Sequence, residues 1–311
     1  MPPPLPPNHG KLWVQLVLLG LTLVTTTLAG GCHYYSFAID LSTVNNLPAD
    51  PNATSIFAEP LFWVRGLWYS LTILAILGCH EMGHYVACLR YGVDVTRPYF
   101  LPAPLFLTGT LGAFIRIRSR IPNKIALFDI GIAGPLAGFV VAVPALFIGL
   151  WLSRVDRLPE DASNLIELGE PLLFRFAAWL VWGDIADGYT INMHPMAFAA
   201  WFGLLATALN LFPIAQLDGG HIAYAVFGRR STAITIVMIG VAIGLTFVSS
   251  SWIAWTVLLV IMIVMMGPRH PPTMDEDERL DRDRLILAAV ALVILVICFT
   301  PAPIGPFLGA S

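Results

Sequence analysis

Charge is what this sequence has least of. Asp, Glu, Lys and Arg make up 12% of its 311 residues and hydrophobic residues 57%, where a soluble domain carries about 25% charged residues. That excludes a water-soluble globule and points to an integral membrane protein. The net charge of −3 comes without a basic patch interleaved with aromatics, so nucleic acid is not expected as a partner. Cysteine is equally scarce. Cys32, Cys79, Cys88 and Cys298 are scattered, and Cys79 and Cys88 share one helix on which they cannot easily meet, so no disulfide framework is expected. There is no internal repeat, and no region is long enough for an appended soluble domain.

What is present is apolar sequence in helix-length pieces. About seven segments reach the roughly 17 to 25 residues that a helix needs to cross a bilayer: 12–30, 64–88, 125–151, 196–215, 232–249, 251–268 and 285–301. The first ends in Leu28-Ala29-Gly30-Gly31-Cys32, which half satisfies both a secretory and a lipoprotein cleavage pattern; its apolar length favours a retained membrane helix. With a cytoplasmic N-terminus, 13 of the 17 Lys and Arg fall on the cytoplasmic side, leaving only Arg65, Arg154, Arg157 and Arg175 on the other. The positive-inside rule then predicts N-in, C-out and an odd number of spans.

The fold class expected is therefore an all-α polytopic membrane protein. The Pro-rich tail 1–11 reads as disordered, and 12–311 as one membrane-embedded domain with its core at about 64–225 and peripheral helices at 12–30 and 232–301. The outer loops 31–60 and 152–195 read as short connections, the second holding an apolar, Trp-rich stretch at 171–183 suited to the interface. Residues 268–284 read as a solvated loop between the last two helices.

Against this background the stretch Gly78-Cys79-His80-Glu81-Met82-Gly83-His84 stands out, because ionisable groups inside a membrane helix are costly and need a collective reason. Positions i and i+4 share a helix face, so His80 and His84 can both aim an imidazole nitrogen at one metal ion. Glu81 reaches the open side of such a site, where it can take a proton from water. A catalytic zinc needs a third protein ligand. The strongest candidate is Asp218 in Asn210-Leu-Phe-Pro213-Ile-Ala-Gln-Leu-Asp218-Gly-Gly-His221, an interrupted stretch of the kind tolerated in a membrane only inside protein or beside a wet cavity. Both motifs fall toward the cytoplasmic ends of their spans, at similar depth. His221 and His194 compete for the role. Asp218 is favoured because a carboxylate with two histidines is an established catalytic set, and His194 opens its span at the opposite side.

His80-Glu-Met-Gly-His84 together with Asn210-x-x-Pro213 and Leu217-Asp218-Gly219 resembles the site-2 protease family of intramembrane zinc metalloproteases. Residues 109–119 (GTLGAFIRIRS), 128–139 (FDIGIAGPLAGF) and 194–205 (HPMAFAAWFGLL) resemble its plastid EGY-type and related bacterial branch. The resemblance covers most of 64–225. It implies one Zn2+ per chain on His80, His84 and Asp218, Glu81 as general base, and Asn210 near the substrate or the developing oxyanion. It further implies that a short membrane-associated β segment between the second and third helices presents substrate along its edge, which marks Gly109, Gly112 and Phe114. Unlike some relatives, the sequence leaves no room for a PDZ or CBS domain.

The implied reaction is hydrolysis of peptide bonds within or next to the transmembrane helix of a single-span membrane protein, near the cytoplasmic face. Regular helix shields its peptide bonds, so helix-weakening residues should mark the substrates. Asp129 can hydrogen-bond a ligand histidine or serve as an interfacial acid. A metal or ion transporter is the alternative, but transporter folds often show internal repeats and a second polar helix. Neither GxSG nor GxGD occurs, so serine and aspartyl intramembrane chemistries lack support. The start of the chain lacks the Arg- and Ser-rich, acid-poor character of a transit peptide, which favours a bacterial inner membrane over a plastid one.

Overall fold

The computed structural model describes residues 11–41, 53–105, 107–159, 161 and 165–306; apart from Lys11, the Pro-rich tail lies outside the described residues. The chain is mostly helical. Its helices are α1 (Leu12–Ala38), α2 (Pro60–Arg90), α3 (Lys124–Leu152), α4 (Leu172–Trp182), α5 (Pro195–Leu211), α6 (Asp218–Phe227), α7 (Ser231–Leu245), α8 (Ser251–Met266) and α9 (Arg282–Cys298). Three small antiparallel ribbons complete it: β1 (Tyr99–Pro102) with β2 (Thr110–Phe114), β3 (Arg154–Arg157) with β5 (Tyr189–Asn192), and β4 (Ile166–Leu168) with β6 (Ile304–Pro306).

Among the described residues, four helical stretches are long and apolar enough to cross a membrane: α1, α2, α3 and the run from α6 into α7, Asp218–Leu245. The segment expected to span 196–215 stops at Leu211, because Pro213 cannot continue a helix ladder. Helix then restarts at Asp218, well before the expected 232. Helix starts follow their local chemistry. Asn123 caps α3 by accepting from the Ala126 N–H (2.8 Å), Asp281 caps α9 through Arg284 N–H (2.9 Å), and Pro60 and Pro195 occupy the first turns of α2 and α5, where a missing N–H costs nothing.

Helices α2, α3 and α5 form the centre of the fold, packed around Tyr69, Ile73, Phe128, Leu146, Trp201 and Leu204. Helix α1 lies against α2, α6 against α3, and α9 against α5. Where α1 crosses α2, Gly30 and Gly66 bring the two backbones together with no room for a side chain; the glycines that mimic a cleavage pattern are buried packing positions. The α7–α8 hairpin hangs outside, joined through a cluster of Phe212, Ile214, Ala215 and Trp252. Its outward residues, among them Phe247, Val248, Val264 and Met265, are exposed, which suits lipid.

The β1–β2 hairpin confirms an extended segment between α2 and α3, and it packs along α1. Gln15 near the start of α1 donates to the Arg97 carbonyl (3.2 Å), Thr25 to Gly109 (2.6 Å), and His33 near the helix end to Leu107 (2.8 Å). The hairpin thus follows α1 over 18 residues, about 27 Å at 1.5 Å per residue. Tyr69 on α2 donates to the Thr108 carbonyl (3.0 Å). Those side chains satisfy carbonyls that irregular backbone packed against helices would otherwise leave bare.

Two other stretches carry more structure than the sequence reading gave them. The loop 152–195 contributes strands β3, β4 and β5 and helix α4, which coincides with the apolar stretch 171–183. Residues 268–281 are largely exposed, as expected of a solvated loop, but part of the segment is a docked strap. Met274 N–H donates to Ile121 O (3.1 Å) and Asp275 N–H to Pro122 O (2.8 Å), and Lys124 Nζ donates to Glu276 O (2.6 Å). Within the acidic run, Glu276 binds Lys124 at the start of α3 and accepts from Tyr224 Oη of α6 (3.0 Å).

Candidate metal centre

Helix α2 places His80 and His84 one turn apart on its buried side, and the break between α5 and α6 delivers Asp218 opposite them. His80 Nε2 and His84 Nε2 are 3.2 Å apart, and Asp218 Oδ2 lies 3.2 Å from the first and 3.3 Å from the second. These are the three atoms a metal ion would bridge, and both histidines are buried.

The triangle fits zinc. Bonds of about 2.0–2.1 Å at tetrahedral angles put ligand atoms about 3.3–3.4 Å apart, close to what these residues hold. The donor chemistry agrees. His84 Nδ1 faces the Ile130 carbonyl at 2.7 Å, and since a carbonyl can only accept, the neutral ring carries its proton there and turns a bare lone pair on Nε2 inward. That lone pair and a carboxylate oxygen converge with His80 Nε2 in a buried space, and a neutral His80 has at most one proton to offer them. A cation satisfies all three. When bound, the ion supplies a Lewis acid that makes water more acidic and polarises a carbonyl.

The two residues inside the His-Glu-x-x-His spacing have distinct surroundings. Met82 is exposed on the outer face of α2, while Gly83 abuts the Ala133 backbone of α3 so closely that a Cβ would collide with it. Gly134, the next residue of α3, is as tightly placed: a Cβ there would collide with His84 Nε2. Small residues on α3 therefore let the ligand helix approach close enough for His84 to reach Ile130.

Glu81 is buried, with Oε1 4.0 Å from His80 Nε2, and the backbone of Ile115, just beyond β2, lies beside its carboxylate. Asn210, in the last turn of α5, has its amide nitrogen 3.5 Å from His80 Nε2. The structure therefore brings together His80, Glu81, His84, Asn210 and Asp218. Of the three hairpin residues, Gly109 packs on α1, where a Cβ would lie 2.6 Å from Thr25 O and where φ is +67°. Gly112, at φ +102°, has open space at its Cβ position. Phe114 stacks on Tyr99 with centroids 5.5 Å apart and is 43% exposed.

Three candidates lie elsewhere. His194 caps α5 at the end away from Asp218, accepting the Met196 N–H (3.2 Å) amid Tyr34, Phe37 and Trp68; burial pushes its imidazole down to about 4. His221 pairs with His270 of the strap, Nδ1 to Nε2 at 2.6 Å. Asp129 serves neither ligand histidine. It accepts from Tyr91 and from Arg284 Nε (2.8 Å) and Nη2 (2.7 Å), tying α2, α3 and α9 together. In the strap, burial pushes the Glu276 carboxyl up, but hydrogen bonds from Thr273 and Tyr224 and the nearby Lys124 ammonium hold it below the ordinary carboxylate range.

A helical membrane protein that gathers two histidines of one helix and an aspartate of another around a single point defines a class, the membrane-embedded metalloproteins of the His-Glu-x-x-His type. Comparison with known proteins narrows it. The model of Peptidase family M50 matches residues 68–250, and the chain belongs to this family, that of the site-2 proteases. It is 32% identical over 268 residues to the probable zinc metalloprotease EGY2, chloroplastic, of Oryza sativa subsp. indica, covering 85% of this chain and 48% of the relative. It is 29% identical over 315 residues to the probable zinc metalloprotease EGY1, chloroplastic, of Arabidopsis thaliana, covering 95% and 54%. The chain thus spans about half the length of these curated relatives.

Proposed function

We propose that this chain is an intramembrane zinc metalloprotease that hydrolyses peptide bonds within or next to the transmembrane helices of single-span membrane proteins, near the cytoplasmic face. The observation that carries the reading is the 3.2–3.3 Å triangle of His80, His84 and Asp218 with the Glu81 carboxylate beside it. Glu81 accepts the proton of the attacking water and returns it to the leaving amine. Asn210 donates to the carbonyl oxygen as charge builds on it. The unpaired edge of β2, which ends one residue before the Ile115 backbone beside Glu81, supports addition of an unwound substrate segment as a further strand. Gly112 would admit a close backbone there, and Leu111 and Phe114 would meet substrate side chains.

The same reading takes the shorter helices α5, α8 and α9 as further crossings, giving seven with a cytoplasmic N-terminus. The Lys and Arg asymmetry supports that orientation. A bacterial inner membrane is the address we propose, with a plastid membrane as the competing one.

The test is cleavage of a helix-weakened single-span reporter by wild type and Glu81→Gln, with zinc quantified in both. One zinc in each protein and a loss of about 10²–10⁴-fold in cleavage by the variant are expected. A wild type that carries zinc and moves ions without cutting any reporter would support the transporter instead, and absence of zinc from both would remove the metal site.

A further inference from the structure

The residue that delivers Asp218 is not the ligand helix but the turn before it. Between α5 and α6 the chain reverses over residues 212–217, with Ile214 N–H donating to Phe212 O (2.7 Å) and Leu217 N–H to Ile214 O (3.0 Å). Ala215 sits in that turn at φ +43°, the single non-glycine residue with positive φ among those described. An L-residue with a Cβ does not hold that conformation without outside support. The turn is also buried: Ile214 is 0% and Ala215 1% exposed. A backbone N–H there needs a partner.

One side chain supplies it. Thr235 of α7, itself buried, accepts the Ala215 N–H through Oγ1 at 3.1 Å. Ala215 O in turn presses on Gly220, where a Cβ would collide with it. The first turn of α6, with Asp218 at its head, is therefore seated directly on the Ala215 peptide. We propose that Thr235 is a positioning residue for the metal centre: by holding the left-handed turn at Ala215 it fixes where Asp218 Oδ2 meets the two histidines. This rests on the zinc reading above. It also gives a role to the peripheral α7–α8 hairpin, many of whose residues face outward.

The experiment is zinc affinity of the full-length protein in detergent, measured by chelator competition on the metal-stripped protein, with the thermal midpoint of the stripped form recorded for each sample. Thr235→Val keeps the shape and removes the acceptor; Thr235→Ser keeps the acceptor. Thr256 of α8 provides a matched control, since its buried hydroxyl donates to Ala242 O (3.0 Å) within the same hairpin and not to the turn.

Thr235→Val should bind zinc about 10–100-fold more weakly, the range for losing a partner that orients a ligand, while Thr235→Ser and Thr256→Val bind as wild type. Adding Ala215→Gly to Thr235→Val should restore most of the affinity, because glycine takes positive φ without strain. Equal affinity in Thr235→Val and wild type, or equal losses in Thr235→Val and Thr256→Val, would overturn the proposal. Should Thr235→Val fail to fold, Thr235→Ala set against Thr235→Ser carries the same comparison, and equal affinities there would overturn it too. Failure of wild type itself to bind zinc would instead count against the metalloprotease reading.

Discussion

His84 donates its Nδ1 proton to the backbone carbonyl of Ile130, 2.7 Å away on the neighbouring helix. That single hydrogen bond sets the tautomer of a metal ligand. It depends on two helices meeting at the closeness of glycine, and several outcomes can be expected from it and from its surroundings.

Gly134→Ala would place a methyl group within the space of the His84 ring. The ring must then leave its position, so zinc affinity should fall by at least about 10-fold. Gly138→Ala is the milder comparison, its Cβ lying 3.2 Å from His80 Cβ. Chelator competition on the two variants distinguishes them, and equal affinities would contradict the assigned packing.

The third ligand can be settled by a pair of substitutions. Asp218→Asn keeps the size and removes the anionic oxygen; its loss of zinc affinity should exceed the roughly 10–100-fold that an outer partner costs. His221→Asn breaks the contact with His270 and should leave zinc affinity within about threefold. A reversed order of the two would assign the site to His221.

Asp129→Asn separates a ligand-orienting role from a structural one. It weakens two charge-assisted hydrogen bonds from Arg284 at side chains about a quarter exposed, so a cost of about 1–2 kcal/mol in stability is expected after allowance for solvent screening. Zinc affinity should not change. Thermal unfolding and metal titration of the same preparation check both parts.

At the outer end of α5, His194 gives a pH dependence with a definite sign. Its folded pKa is depressed, from 6.5 to about 4, because burial disfavours the imidazolium. Its contribution is therefore fully present above pH 6.5 and is lost as pH falls toward 4, where the unfolded chain takes up the proton first. Asn in its place also caps a helix but does not titrate. Wild type should lose stability relative to His194→Asn between pH 6.5 and 4 and run parallel to it above about pH 7.

The metal centre was legible because its chemistry resides in side chains. Two histidines at i and i+4 announce a shared face, and Asp218 follows from its depth beside an interrupted helix. The group that orients His84 was not legible. The sequence offers Asp129 for that role or for an interfacial one, whereas the partner is the Ile130 carbonyl, a group every residue possesses. The docking of the strap at 268–281, though not its exposure, was hidden for a similar reason. Its Asp275, Glu276, Asp277 and Glu278 suggest solvent, yet Met274 and Asp275 are held by backbone hydrogen bonds to Ile121 and Pro122. Hydropathy placed the helices well but missed the stop at Leu211 and the restart at Asp218, where backbone reversal matters more than apolarity. Thr235 carries no sequence signal at all, being one more small residue on an apolar helix.

The break between α5 and α6 has a topological consequence. His80 and His84 come from an early helix and Asp218 from a late one, so an ion held by all three closes a long covalent ring of polypeptide, much as a disulfide does. The freedom such a ring removes belongs to the unfolded chain and grows only slowly with its length. Metal loading is then also a crosslink: it clamps the late helices onto the early ones, and chelation should loosen how α6 sits against α2 and α3 before any helix melts.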